Sequence, residues 1–169
     1  MPERELSSGT LDFSDREVRI ALAKMVTKMF ELWKLGANDM LDLLGMRPSS
    51  RSVLARYRKG HPLPDRRDMA DRVGYLLSMH KALGLLYPYN ENIRSSWVLR
   101  RNKLFNNLTP LEVMKEQGMV GLARVAACLE FQLGDKGLTL TPSPSAKDCR
   151  QFASESIGLK SIDPGSRQA

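Results

Sequence analysis

The chain has 169 residues, 42% of them hydrophobic, and its 26 lysines and arginines outnumber 19 aspartates and glutamates for a formal net charge of +7. That size and apolar fraction supply one sizeable core with a tail, or two small modules sharing an interface, and exclude two independent large domains. No apolar run approaches the roughly eighteen residues that cross a bilayer; two cysteines without a secretory leader set the expectation of a reducing, cytoplasmic setting; and two histidines without co-ligands at metal spacing argue against a zinc site.

Residues 1–13 are polar and aperiodic, which predicts a flexible start. Ser14, three residues before Glu17, has capping-box spacing. Val18, Leu22, Met25, Val26, Met29 and Trp33 then recur at offsets of four and three, the stripe of one helical face, with Gly36 as its left-handed stop. Asn38 stands where it would cap a short second helix whose Leu41 and Leu44 share a side and which Gly45 interrupts. Pro48 and Ser49 open a third helix with Val53, Leu54 and Tyr57 inward, and Gly60, Pro62 and Pro64 close it.

Two short helices joined by a glycine turn, the second basic and amphipathic, form the helix-turn-helix pattern, whose second helix docks in the major groove. Residues 47–72 hold eight lysines and arginines against Asp65, Asp68 and Asp71, a local excess that makes up most of the net charge. Each cation set against a phosphate releases condensed counterions, so nucleic acid is the partner this density fits. Arg51 and Arg56 are the candidates for base reading, because arginine grips guanine bidentately. Ser49, Ser52, Arg58 and Lys59 are the candidates for the phosphate backbone.

From residue 66 to about 87 a long helix carries Met69, Val73, Leu76, Leu77, His80, Leu83 and Tyr87 at three-and-four spacing. Its Arg66, Arg67 and Arg72 stand where they could flank a duplex, and His80 reads as a residue of the core margin. Residues 94–103 then place four cations and no acid around Trp97. Asn106 and Asn107 mark a loop, and Thr109, Pro110 and Glu112 combine cap, first-turn proline and capping-box acid. Gly118 is expected to end that helix, after which Leu122, Val125, Ala126, Leu129 and Leu133 stripe a last one stopping at Gly134. Residues 135–169 are rich in serine and proline and are expected to be a disordered tail, with a short helix at 146–156 carrying Cys149, Phe152 and Ala153. The whole pattern is all-α.

Two parts of the chain resemble the Xre/MbcA/ParS family of bacterial antitoxins. LGANDMLDLLGMRPSSRSVLARYRKGHPLP is similar to the family's Xre-like helix-turn-helix, with Ser49, Arg51, Ser52 and Val53 at its S-x-R-S-V core. Trp97, Asn102, Leu104, the T-P-L-E of Thr109 to Glu112, and Gly118 before a closing amphipathic helix resemble its C-terminal toxin-binding domain. The likeness spans about residues 20–134. It departs at Arg100, Arg101 and Asn102, where relatives often carry a proline before the asparagine, and in the segment past Gly134.

The resemblance implies a helix-turn-helix region at 14–90, a toxin-binding domain at 91–134, a RES-domain toxin that attacks NAD⁺ as protein partner, and the operon's own promoter DNA. Trp97, Asn102 and Leu104 are carried over to the toxin-binding module, and Phe105 adjoins them. Arg100, Arg101 and Lys103 join on chemical grounds, as cations facing a cleft that holds a pyrophosphate cofactor. Trp97, Leu104 and Phe105 are open to two readings, toxin contact or core filling. The expectation is an antitoxin that blocks the toxin's NAD⁺ cleft and represses its operon, with no catalysis and no cofactor, as a homodimer or a higher hetero-oligomer with toxin and without membrane attachment. Its main rival is a helix-turn-helix regulator without a toxin, in which residues 91–134 serve dimerisation. A small enzyme, or nonspecific binding of RNA or a membrane surface through the basic patch, are lesser rivals.

Overall fold

The protein is described by a computed structural model over residues 12–138. Nearly all of the expected flexible start at 1–13, the tail beyond 138 and the helix expected at 146–156 with Cys149 lie outside the described residues. Within them every regular element is helical, as the periodicity predicts: α1 (Arg16–Leu32), α2 (Ala37–Leu43), α3 (Arg51–Arg58), α4 (Arg67–Leu86), α5 (Glu91–Ser96) and α6 (Pro110–Asp135), with single 3₁₀ turns at Pro48–Ser50, Trp97–Leu99 and Lys103–Phe105.

Helix ends differ from the sequence expectation in four places, each for a local reason. The first cap is Asp15, not Ser14: its carboxylate accepts from the Glu17 N–H at 2.9 Å. The left-handed stop of α1 is Lys34 (φ 57°), not Gly36. Its N–H reaches Glu31 O while Leu35 N–H reaches back to Phe30 O at 3.1 Å. This is the reciprocal pattern that ends helices, and burial of Leu35 fixes it in place of a glycine. Gly36 is consequently extended and precedes α2, so Asn38 lies inside that helix and its side chain is released for another role. At the far end α6 runs past Gly134 to Asp135 and turns at Gly137 (φ 71°).

The core runs along α4, which packs on α1 on one hand and on α6 on the other, and the most extensive helix contact is between α4 and α6. From α1 come Leu22, Met25, Val26, Met29, Phe30 and Trp33; from α6 come Val113, Leu122, Val125, Leu129 and Leu133. Each such side chain contributes about 1.5–3 kcal/mol on leaving water. The buried face of α4 is wider than the single stripe expected. Met79, Ala82 and Leu86 are buried beside Met69, Val73, Leu76 and Leu83, while Leu77, His80 and Tyr87 are only half-buried. α1, α5 and α6 all pack on α4, and more than one partner needs more than one stripe.

α6 opens with the expected capping box, Thr109 N–H to Glu112 Oε2 at 2.7 Å and Glu112 N–H to Thr109 Oγ1 at 3.1 Å. Gly118 (φ 58°, ψ −130°) breaks it, as its place in the sequence predicts. Three residues on, a side chain at Gly121 would collide with the Val113 carbonyl, so the break folds the second half closely over the first.

A candidate nucleic-acid interface and a second exposed surface

The turn between α2 and α3 depends on Gly45 (φ 68°), where a Cβ would stand 2.8 Å from Arg72 Nε. Arg72 lies under this turn and donates from Nη1 to the Leu43 carbonyl at 3.2 Å, satisfying one of the carbonyls left open at the end of α2. The expectation that Arg72 flanks a duplex is therefore corrected: it is half-buried and holds the turn. Arg66 and Arg67 are exposed, Arg66 paired with Asp68 at 3.1 Å.

On α3, Leu54 and Tyr57 are buried and anchor the helix to the core, and Val53 is half-buried. Burial raises the Tyr57 hydroxyl pKa, against the opposing charges of Arg56 and Arg66. All six residues expected to meet DNA, Ser49, Arg51, Ser52, Arg56, Arg58 and Lys59, are exposed. Ser49 sits in the 3₁₀ turn Pro48–Ser50 that leads into the helix. Two of the six are engaged within the protein. Arg51 donates from Nε and Nη2 to Asn38 Oδ1 at 3.1 and 2.8 Å, pinning α3 to α2, and Arg58 pairs with Glu31 of α1 at 2.7 Å. The Nη1 of Arg51 is left outside this pair of bonds to Asn38. Arg56, Tyr57, His61 and Pro64 line an open groove of about 480 Å³ beside the helix, with Arg19 and Asp65 paired at 2.9 Å on its edge.

The seven residues proposed for the protein-binding segment part company. Trp97 is 7% exposed and Phe105 3% exposed. The Trp97–Leu99 turn packs on α6, and the Phe105 ring lies under the Arg124 guanidinium at 5.6 Å. Both are core residues, which corrects the contact reading for them. Asn102 organises its loop. Its N–H donates to Leu108 O at 3.0 Å, its side chain accepts from Leu104 N–H at 3.0 Å, and its carbonyl accepts from Asn107 N–H at 3.1 Å. Asn106 and Asn107 carry φ of 55° and 64°, a left-handed pair that asparagine tolerates.

Arg100 and Arg101 are exposed yet locally steadied, Arg100 by Ser96 Oγ at 2.9 Å and Arg101 by Asn107 O at 3.0 Å. Lys103 is exposed, and Leu99 and Leu104 are 43% and 60% exposed. What remains on the surface is thus two leucines among three cations. Sequence reasoning missed Val120 and Phe131, 70% and 76% exposed on α6, whose eleven-residue separation on one helix face was a readable signal.

His80 lies edge-on to Trp33, ring centroids 6.0 Å apart, and burial together with the Arg94 charge lowers its pKa to about 4. Burial raises the Cys128 thiol pKa. Among the described residues no group of three His, Cys, Asp or Glu side chains is arranged to hold a metal, and no helix is long and apolar enough to cross a membrane.

The chain is 32% identical over 108 residues to the "Uncharacterized protein y4oB" of Sinorhizobium fredii (strain NBRC 101917 / NGR234), a match covering 63% of this chain and 80% of that protein. No family model matches the chain. No solved structure matches it either.

Proposed function

This chain belongs to the family of that Sinorhizobium protein, and we propose that it is an antitoxin: one face binds its own promoter, another blocks the NAD⁺-binding cleft of a RES-domain toxin. The observation that carries the reading is the outward face of α3. Arg51, Ser52 and Arg56 are exposed on a short helix, with Ser49 in the turn before it and Lys59 at its end also exposed; the helix contains no acidic residue and is joined to α2 through the Gly45 turn. Set in a major groove, Arg56 and the outer donors of Arg51 meet base edges, while the serines and Lys59 hold phosphates. A dimer would then read half-sites about 34 Å, one helical turn, apart.

The protein-binding half of the proposal is supported by the likeness of residues 97–118 to the toxin-binding domain and by the exposure of Leu99 and Leu104 among Arg100, Arg101 and Lys103. Desolvated leucines supply affinity, and the cations suit a cleft shaped for a pyrophosphate. The chain itself performs no chemistry in this reading; it excludes NAD⁺ by occupying its place.

Co-expression of the full chain with the product of the neighbouring reading frame tests this. The expected outcome is growth arrest and NAD⁺ loss from the neighbour alone, relief of both by this chain, and co-purification of the pair. A neighbour without effect on growth, with this chain purifying alone as a dimer, would replace the proposal by a regulator that uses residues 91–134 to dimerise.

A further inference from the structure

Resting on the DNA-binding reading of α3, we propose that Lys24 and Lys28 of α1 form a second row of phosphate contacts, so that the duplex is held across α3 and α1 together. Both lysines are exposed, one helical turn apart on the same face of α1. The end of α3 lies against them. A Cβ at Gly60 would stand 3.2 Å from Lys24 Cε and 3.5 Å from its Nζ, which puts this ammonium beside the turn that follows α3. Lys28 Nζ is 3.8 Å from Glu31 Oε2, and the other oxygen of that carboxylate takes Arg58 Nε at 2.7 Å.

Lys28 and Arg58 thus share the Glu31 carboxylate, with Lys24 beside Gly60 and Lys59 at the end of α3 completing a group of four cations. A single carboxylate positions two of these cations without neutralising the group. Like charges so placed repel one another, and all four residues are exposed. A polyanion offsets that repulsion. The rise from Lys24 to Lys28 is about 6 Å along α1, enough to set the two ammoniums against separate phosphates. The row therefore matches spaced phosphates, not one acidic group, and it carries affinity without base preference.

A purely structural role exists for Lys24, because a cation near the C-terminus of α3 favours the helix dipole. The two roles separate by salt dependence. Fluorescence anisotropy is measured between 50 and 200 mM NaCl on a 30-base-pair duplex from upstream of the gene and on a shuffled duplex of the same composition. The proteins compared are the full chain, its Lys24→Ala/Lys28→Ala and Lys24→Gln/Lys28→Gln variants, and Arg56→Ala. For both double variants the slope of log affinity against log salt is expected to become shallower by about 1.8, two contacts at about 0.9 each, with equal loss on the two duplexes and an unchanged melting temperature. An unchanged slope, with or without a lower melting temperature, overturns the α1 row. If Arg56→Ala still loses preference for the upstream duplex, the reading of α3 survives that result. Absence of binding to either duplex by the unmodified chain refutes the reading of α3, and this proposal with it.

Discussion

The outward face of α3 and the segment 97–105 are similar in composition, each a short run of cations around an aromatic, yet the fold treats them differently. On α3 the helical repeat sorts side chains by position. Leu54 and Tyr57 go inward, and the residues proposed to meet DNA all stay exposed. In 97–105 two 3₁₀ turns, followed by the left-handed pair Asn106 and Asn107, replace any repeat, and neighbours in sequence take opposite fates: Leu104 is 60% exposed, Phe105 3%. A periodic element lets function be assigned by register. An irregular one lets it be assigned only after the loop's hydrogen bonds are known.

Six substitutions test that contrast, those with the largest expected effect first. Trp97→Ala should cost about 3–5 kcal/mol of stability, read as a fall in the denaturation midpoint, whereas Leu104→Asp should leave the midpoint in place and weaken partner binding. A stable Trp97→Ala protein that loses only its partner would return Trp97 to the surface. Next is pH. His80, on α4, packs edge-on to Trp33, and burial together with the charge of Arg94 holds its folded pKa at about 4, below the free value of 6.5. The unfolded chain then binds the proton first, so the contribution of neutral His80 is complete above about pH 6.5 and is lost as pH falls toward 4. The shift corresponds to at most about 3 kcal/mol, and the pH dependence of the unfolding midpoint should flatten in His80→Gln.

Arg51→Ala should cost about 1–3 kcal/mol on the upstream duplex and relax its base preference. Lys59→Ala should weaken all sequences alike; equal behaviour of the two variants in competition binding would undo the division between base and phosphate contacts. The smallest effect belongs to Lys115. Its ammonium bridges Asp39 at 2.6 Å and Asp42 at 3.6 Å, joining α6 to α2, and the hydrogen bond to Asp39 raises its pKa. Being partly exposed, it should cost less than about 1 kcal/mol on replacement by alanine; a larger loss in thermal denaturation would mean that the two regions are coupled electrostatically.

The helices other than α5 were legible because their apolar spacing and caps are local properties of the chain; α5, six residues long, has no apolar stripe to announce it. Thr109, Pro110 and Glu112 announce the start of α6, and Gly45, Gly60 and Gly118 mark turns that positive φ requires. What stayed hidden depends on tertiary partners. Lys34 takes a left-handed conformation because Leu35 is drawn into the core, Arg72 holds the α2 turn from 29 residues away, and Asn38 is a partner of Arg51 once Gly36 has taken the position before the helix. The segments 14–90 and 91–134 share their core, since α6 lies along α4. Single substitutions in the full chain are therefore the informative probes, because truncation at residue 90 would uncover α4.

The claim that one helical body offers separate faces to a duplex and to a protein is tested most directly by adding the neighbour's product to the full chain already bound to labelled upstream duplex. The account predicts a further rise in anisotropy with preference over a shuffled duplex retained, as both partners stay on. Release of the duplex by the added protein, or equal affinity for the two duplexes, would contradict it.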